Sequence, residues 1–183
     1  SVASFQDRRV WAPDNDPGAL KAYSSFNITP IPLPIADVLT GLQTGLIDSM
    51  GSPPIGAIAL QWHTQVDYAL ELPLMYVYGL FAITERAFSR MDESEQAIVT
   101  EELSAAVARV DAASRKDNEA ANQALVDQGL QWLQPSNAER AEWYSIADGA
   151  NQRLKANEYV SEAMFDELMA LLQEYRSAQN ANP

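Results

Sequence analysis

Short apolar runs alternate with turn residues through the first half of the chain, up to about residue 91. Runs rich in β-branched and aromatic residues predict strands at 9–12, 28–33, 66–72 and 75–83. Runs with helical spacing predict helices at 17–26, 35–47 and 54–62. This alternation of strand and helix is typical of βαβ units, so we expect an α/β fold with a parallel sheet.

Beyond residue 91 the apolar residues recur at helical spacing. Asp92 and Glu95 form a D-x-x-E capping box, and Gly129 is a natural helix stop. A helix over 92–128 would be about 55 Å long at 1.5 Å per residue, which exceeds the diameter of a small domain. The pattern predicts two further helices, at 135–154 and 160–177.

The segment 38–50, VLTGLQTGLIDSM, carries two glycines inside the helix predicted at 35–47. Each glycine costs about 1 kcal/mol relative to alanine in a helix interior. Gly41 and Gly45 lie four residues apart, so we expect them to share a bare helix face against which a neighbouring element packs closely. The apolar residues expected to pack beside this face are Val38, Leu39, Leu42 and Leu46. We also expect replacement of Gly45 by leucine to damage folding.

The net charge of −13 is unevenly distributed, since residues 1–91 carry −3 and residues 92–183 carry −10. So acidic a chain argues against nucleic-acid binding, which requires clustered Lys and Arg. The acidic half is either a solvated surface or a docking face. The 47% hydrophobic content is sufficient for a core, and no run approaches the ~20 apolar residues of a membrane span. No signal peptide opens the chain, so any export signal was removed or was never present.

The residues offer little catalytic chemistry. The chain has no cysteine and one histidine, His63, and it lacks a G-x-S-x-G elbow and phosphate-binding glycine loops. Asp14 and Asp16 begin a calcium-loop pattern that Ala19 and Ser25 break. We therefore expect a structural or surface role for His63, no metal, no cofactor, no catalytic residue and a binding-type α/β domain.

Three motifs resemble the solute receptors of tripartite ATP-independent periplasmic (TRAP) transporters, the dicarboxylate-receptor family. They are RRVWAP at 8–13, ITPIPLPIADV at 28–38, and LQTGLID at 42–48 followed by Ser52-Pro53. The family typically shows G-x-K-[IV]-R-V-P, N-P-x-P-M-P-[FY]-x-E-[VL]-Y, and A-L-Q-T-G-x-[VI]-D-G leading to E-N-P. The resemblance covers essentially the whole chain but only the C-terminal part of the family's usual length.

The resemblance implies two α/β lobes, joined by hinges and a long helix, that close over a small organic acid. Residues 1–91 would form a periplasmic-binding-protein-like second lobe whose last strands return towards the first lobe. Residues 92–129 would be the spanning helix, and residues 130–183 would be C-terminal helices packing on the lobe. The first lobe would then be missing, either because the chain was cut at the lobe boundary or because its first half lies outside this sequence. Apolar surface left uncovered predicts self-association.

The sequence departs from the family at the ligand site. The family's carboxylate-binding arginine aligns with Trp11, and its ligand-contacting asparagine aligns with Ser52. An indole has one N–H donor and cannot reproduce the two charged hydrogen bonds of an arginine. The resemblance implies a pocket wall made of Trp11, Pro13, Asp14, Ile35, Asp37, Ser52 and Trp62. Such a wall suits a less charged, more apolar or cationic solute, or a carboxylate held by the missing lobe; a core role for Trp11 is the alternative.

The function implied is a periplasmic receptor that binds a small organic solute, expected to be an organic acid, and delivers it to a TRAP membrane permease. An alternative is an isolated lobe that binds a protein partner and no solute. A small hydrolase would need a nucleophile and a base that the sequence does not supply. The sequence does not identify the solute, because half of the pocket would come from the first lobe.

Overall fold

A computed structural model describes residues 1–74, 77, 79–156 and 160–180. The helices of this part are α1 Val2–Gln6, α2 Pro17–Ser25, α3 Val38–Gln43, α4 Pro54–Ala59, α5 Glu85–Phe88, α6 Glu93–Asp127, α7 Asn137–Ala156 and α8 Glu162–Asn180. The strands are β1 Trp11–Pro13, β2 Ile31–Leu33, β3 Tyr68–Leu70 and β4 Gln131–Leu133, and 3₁₀ turns lie at Ile35–Asp37 and Trp62–Gln65. The chain forms two compact units: the first unit is Ser1–Met50 with Pro135–Pro183, and the second unit is Gly51–Gln134.

The first unit is built on parallel strands, as the βαβ pattern predicts. β1 pairs with β2 in the register Trp11↔Ile31 to Pro13↔Leu33, and Val10 forms a parallel bridge with Ser49. The side chains of Val10, Val38 and Ile47 are fully buried beneath these segments. The α/β class predicted from the sequence is therefore confirmed.

Helix α7 closes the first unit from the far end of the chain. It packs against α1 and α2, and its Trp143 is 3% exposed. The Trp143 ring contacts Phe5 edge-on at 5.5 Å between centroids and Phe26 at 5.1 Å. The sequence pattern did not predict α1, which lies where residues leading into the first strand were expected.

The predicted helix at 35–47 is shorter in the structure. It begins with the 3₁₀ turn, continues as α3 and ends at Gln43, with Thr44 as its C-cap. Gly45 follows the cap at φ +71°, so it terminates the helix in the left-handed conformation. Leu46 is consequently 50% exposed instead of packing beside the helix. The prediction that Gly41 and Gly45 share a helix face is therefore wrong for Gly45.

Gly41 does meet the expectation of a close approach. A Cβ at this position would lie 3.0 Å from Leu33 Cδ1 and 3.1 Å from Ile47 Cγ1. The bare backbone of α3 therefore lets β2 and the chain after the helix pack directly on it.

The second unit consists of α4, α5, α6 and the parallel pair β3–β4, registered from Tyr68↔Gln131 to Leu70↔Leu133. α4 packs against α6, and the buried residues between and beside them are Ala57, Trp62, Ala121 and Leu125. The sequence pattern missed β4, which is three residues long. Of the strand predicted at 75–83, residues 77 and 79–83 have no strand structure, and Met75, Tyr76 and Tyr78 lie outside the described residues.

Helix α6 confirms the predicted long helix and its signals. It spans 35 residues, and Asp92 and Glu95 form both hydrogen bonds of the capping box, each at 2.9 Å. Gln128 is its C-cap, and Gly129 follows at φ +99°. The apolar residues Ile98, Val107 and Val110 remain more than half exposed.

α8 follows α7 and has no buried residue among its described side chains. Lys155 at the end of α7 lies 2.6 Å from Asp166 and 3.4 Å from Glu162. These ion pairs raise the pKa of Lys155, chiefly through the hydrogen bond to Asp166. The apolar side chains of α8 include Met164, Leu168, Leu171 and Tyr175, and each is more than half exposed. The division of the chain at residues 91 and 129 remains a prediction about the whole protein.

Candidate functional site

Four of the predicted ligand-binding residues lie where the parallel strands of the first unit end. Pro13 is the last residue of β1 and Asp14 follows it, while Ile35 and Asp37 form the 3₁₀ turn directly after β2. The two strand ends are joined, since the Asp14 N–H donates to the Leu33 carbonyl at 3.3 Å. Ligands of open α/β sheets bind outside the carboxyl ends of the strands. Asp14, Ile35 and Asp37 are exposed at this edge, which makes it the candidate site.

Trp11 belongs to the core of the same unit. The residue is 6% exposed, and its indole N–H donates to the Leu33 carbonyl at 2.9 Å. This bond ties β1 to β2 near the carboxyl edge. The structure therefore favours the core role of Trp11 that the sequence analysis left as an alternative.

Ser52 and Trp62 lie in the second unit. Ser52 is half-buried in the turn before α4, and its hydroxyl donates to the Pro53 carbonyl at 2.9 Å. A Cβ at Gly56 would lie 2.9 Å from Ser52 Oγ, so the glycine gives this hydroxyl room over the first turn of α4. Trp62 is 3% exposed and is part of the core of its unit. The contribution of these two residues to a solute site remains a prediction.

The carboxylate of Asp48 binds Arg9, in the segment just before β1. Asp48 Oδ1 accepts the Arg9 backbone N–H at 3.0 Å, and Oδ2 accepts the Arg9 Nε–H at 3.2 Å. The Arg9 carbonyl in turn accepts the N–H groups of Asp48 and Ser49. Both Arg9 and Asp48 stand in the motifs that carried the resemblance, but their pairing involves positions 39 residues apart. These bonds tie the backbone before the amino end of β1 to the chain at Asp48 and Ser49.

Asn118 of α6 is a functional candidate that the sequence analysis did not single out. Its side-chain oxygen accepts the backbone N–H of Ile55, in the first turn of α4, at 3.2 Å. The link spans 63 residues and carries no local sequence signal. The contact connects the long helix to the turn that holds Ser52.

His63 borders a cavity of about 340 Å³ in the second unit. Its Nδ1 lies 3.0 Å from the Ala57 carbonyl, which fits a donating Nδ1–H. The lining residues are His63, Thr64, Val66, Asp67, Leu125, Gln128, Gly129 and Leu130. Among the described residues, no three His, Cys, Asp or Glu side chains are grouped to hold a metal. His63 thus acts as a packed, hydrogen-bonded side chain.

A parallel α/β unit with polar residues at its carboxyl edge is the arrangement in which open α/β sheets bind their ligands. The sequence profile of bacterial extracellular solute-binding protein, family 7 (DctP), matches residues 11–157. The chain belongs to this family, and the resemblance noted in the motifs is confirmed. No curated protein matches the chain.

Solved structures of TRAP periplasmic solute-binding proteins share this fold. The protein from Haemophilus influenzae with bound L-gulonate has a TM-score of 0.84 and 14% identity, covering 93% of this chain and 56% of that one. The Shewanella oneidensis protein with bound succinate has a TM-score of 0.79 and 14% identity, covering 91% and 54%. The Desulfovibrio salexigens protein with bound orotic acid has a TM-score of 0.75 and 17% identity, covering 95% and 55%.

The chain spans about half the length of these solved relatives. At 14–17% identity the likeness establishes the fold, and the bound solutes belong to the relatives. Within the described ranges, the helices are too short or too polar to cross a bilayer.

Proposed function

We propose that this chain is the greater part of the second lobe of a periplasmic TRAP solute receptor, which binds a small organic acid and delivers it to a membrane permease. The observation that carries the proposal is the family match over 11–157 together with the exposed polar edge at Asp14 and Asp37. The L-gulonate, succinate and orotate found in the solved relatives support an organic acid. The chain acts by binding and release and has no catalytic role.

We propose that the carboxyl edge provides solute contacts in the first unit and, separately, that the turn at Ser52 provides them in the second unit. Trp11 supports this wall from within, because its N–H already bonds to Leu33 and its ring is buried. Trp11 stands where the family has an arginine, and its indole cannot make two charged hydrogen bonds to a solute carboxylate. This lobe therefore lacks that pair of bonds at this position. We infer that a group of the first lobe, outside this sequence, holds the solute carboxylate.

Exposed apolar residues of the second unit favour the idea that another part of the protein covers them. Leu80 is 85% exposed and Phe81 is 69% exposed, in a segment without strand structure. Within the described residues, β3 and β4 form a two-stranded parallel pair, whereas parallel sheets are normally covered and wider. We propose that the first lobe covers these residues in the whole receptor, and that the chain alone self-associates through them.

The test compares the 183-residue chain with a longer form that also carries the first lobe that the proposal requires. Calorimetric titration with succinate, L-gulonate and orotate measures the Kd, and thermal melting follows the stabilisation. A solute at 100 times its Kd adds about 2.7 kcal/mol to the free energy of unfolding. We expect the longer form to bind at least one acid and to melt at a higher temperature with it.

Matched variants locate the site on this lobe. Asp14→Asn removes a charge at the carboxyl edge and is expected to change the Kd, whereas Asp148→Asn removes an exposed charge on α7 and is expected to leave it unchanged. Failure of the longer form to bind any of the three acids would overturn the receptor proposal. It would favour the alternative, an interaction module that uses the exposed apolar residues to bind a protein.

A further inference from the structure

The short helix α4 lacks a cap of its own. Its N-cap is Pro53, which makes no side-chain cap hydrogen bond, and its first residue is Pro54, which has no N–H. The first turn therefore presents the N–H groups of Ile55 and Gly56. A helix of six residues gains little from propagation, so the groups that fix its first turn determine where it lies.

Asn118 supplies the missing cap from another helix. Its side-chain oxygen accepts the Ile55 N–H at 3.2 Å, and the asparagine is half-buried at this contact. Asparagine is a poor residue for a helix interior, because its side chain competes for backbone hydrogen bonds. Inside the 35-residue α6, the Asn118 side-chain oxygen accepts from α4 across the helix pair.

The same face of α6 holds the rest of α4. Ala121 lies three residues after Asn118 and Leu125 lies seven after it, and both are buried where α4 packs on α6. Ala57 of α4 is also buried. Small side chains on both helices allow α4 and α6 to approach closely. The hydrogen bond to Asn118 fixes the first turn of α4 against α6.

We propose that Asn118 is a positioning residue for the solute site, which acts by fixing the start of α4 and with it the hydroxyl of Ser52. The contacts run in sequence: Asn118 holds Ile55, the next residue is Gly56, and Ser52 Oγ rests against Gly56 while donating to the Pro53 carbonyl. The position of α6 thereby determines the position of the turn that carries Ser52. The inference rests on the proposed receptor function of this turn.

The test uses the longer form of the protein, with succinate, L-gulonate and orotate as probes. Asn118→Ala removes the acceptor and is expected to raise the Kd about three- to tenfold, the effect of losing one capping bond. Asn122→Ala, one turn further along α6 at an exposed position, removes an equal amide and is expected to leave the Kd unchanged. Circular dichroism at the titration temperature verifies that both variants are folded.

Hydrogen exchange of the Ile55 amide separates positioning from a general loss of stability. In Asn118→Ala the segment 51–60 is expected to exchange faster while exchange in β3 and β4 stays unchanged. Asn118→Asp keeps an acceptor oxygen and is expected to restore protection of Ile55. An unchanged Kd in Asn118→Ala, when the wild type binds, would overturn the inference alone. Absence of binding by the wild type would overturn the receptor proposal and this inference together.

Discussion

Substitutions of Gly45 test how helix α3 is terminated. The residue adopts φ +71° directly after the C-cap of α3, and a Cβ built there meets no atom within 4 Å. A side chain at this position therefore costs backbone energy without a steric clash. The left-handed conformation costs an L-residue about 1–2 kcal/mol, whatever the size of its side chain.

Three substitutions separate backbone strain from crowding. Gly45→Ala and Gly45→Leu are expected to lower the free energy of unfolding equally, by about 1–2 kcal/mol. Gly45→Asn is expected to lower it less, because asparagine tolerates the left-handed region. For a protein of this size, 1 kcal/mol corresponds to a shift of about 2–4 °C in Tm.

Urea denaturation followed by circular dichroism measures these differences as shifts of the midpoint at constant slope. A loss with leucine far greater than with alanine would show that the space around Gly45 is filled, contrary to the structure. A loss with asparagine equal to that with alanine would show that the left-handed conformation is not the cause. Either result would refute the assignment of Gly45 as the helix terminator.

Two further predictions concern other elements. Gly41→Val places a branched side chain against the fully buried Ile47 and is expected to lower the free energy of unfolding by about 1–3 kcal/mol, measured by the same urea titration. The hydroxyl of Ser94 and the N–H of Glu95 donate to Asp92 and lower its pKa, so the capping contribution of Asp92 is complete above the ordinary aspartate pKa. It is lost as the pH falls through the lower folded value. The Tm of Asp92→Asn should therefore fall less steeply with acidification than that of the wild type, and parallel curves would contradict this.

Local signals predicted the elements whose ends are fixed by neighbouring residues. The capping box at Asp92 and the stop at Gly129 determined α6 from sequence, because each signal lies within one turn of the helix end it sets. The pattern failed at α3, where Leu46 and Ile47 continue the helical spacing after the backbone has turned at Gly45. Ile47 is apolar because it packs into the core from the loop after α3, and not because the helix continues to it.

The residues of the candidate site also divide into those placed by local sequence signals and those that depend on distant partners. Asp14, Ile35 and Asp37 could be placed at the carboxyl edge because they follow predicted parallel strands. The burial of Trp11 and the capping of α4 by Asn118 depend on partners 22 and 63 residues away, which no local pattern reports. Strand β4 was missed because its strand structure depends on pairing with β3, which lies far away in the sequence.

The first unit is assembled from the two ends of the chain, and this has a consequence at the ribosome. Phe5 and Phe26 are made before Gly51–Gln134, yet the Trp143 that packs on them is translated after the whole of that segment. At 5–20 residues per second, the first segment waits roughly 4–17 s for its partner. The second unit is contiguous, so it can close without any residue made later than Gln134. We expect a released chain ending at residue 134 to protect the second unit from protease while leaving the first segment open to cleavage.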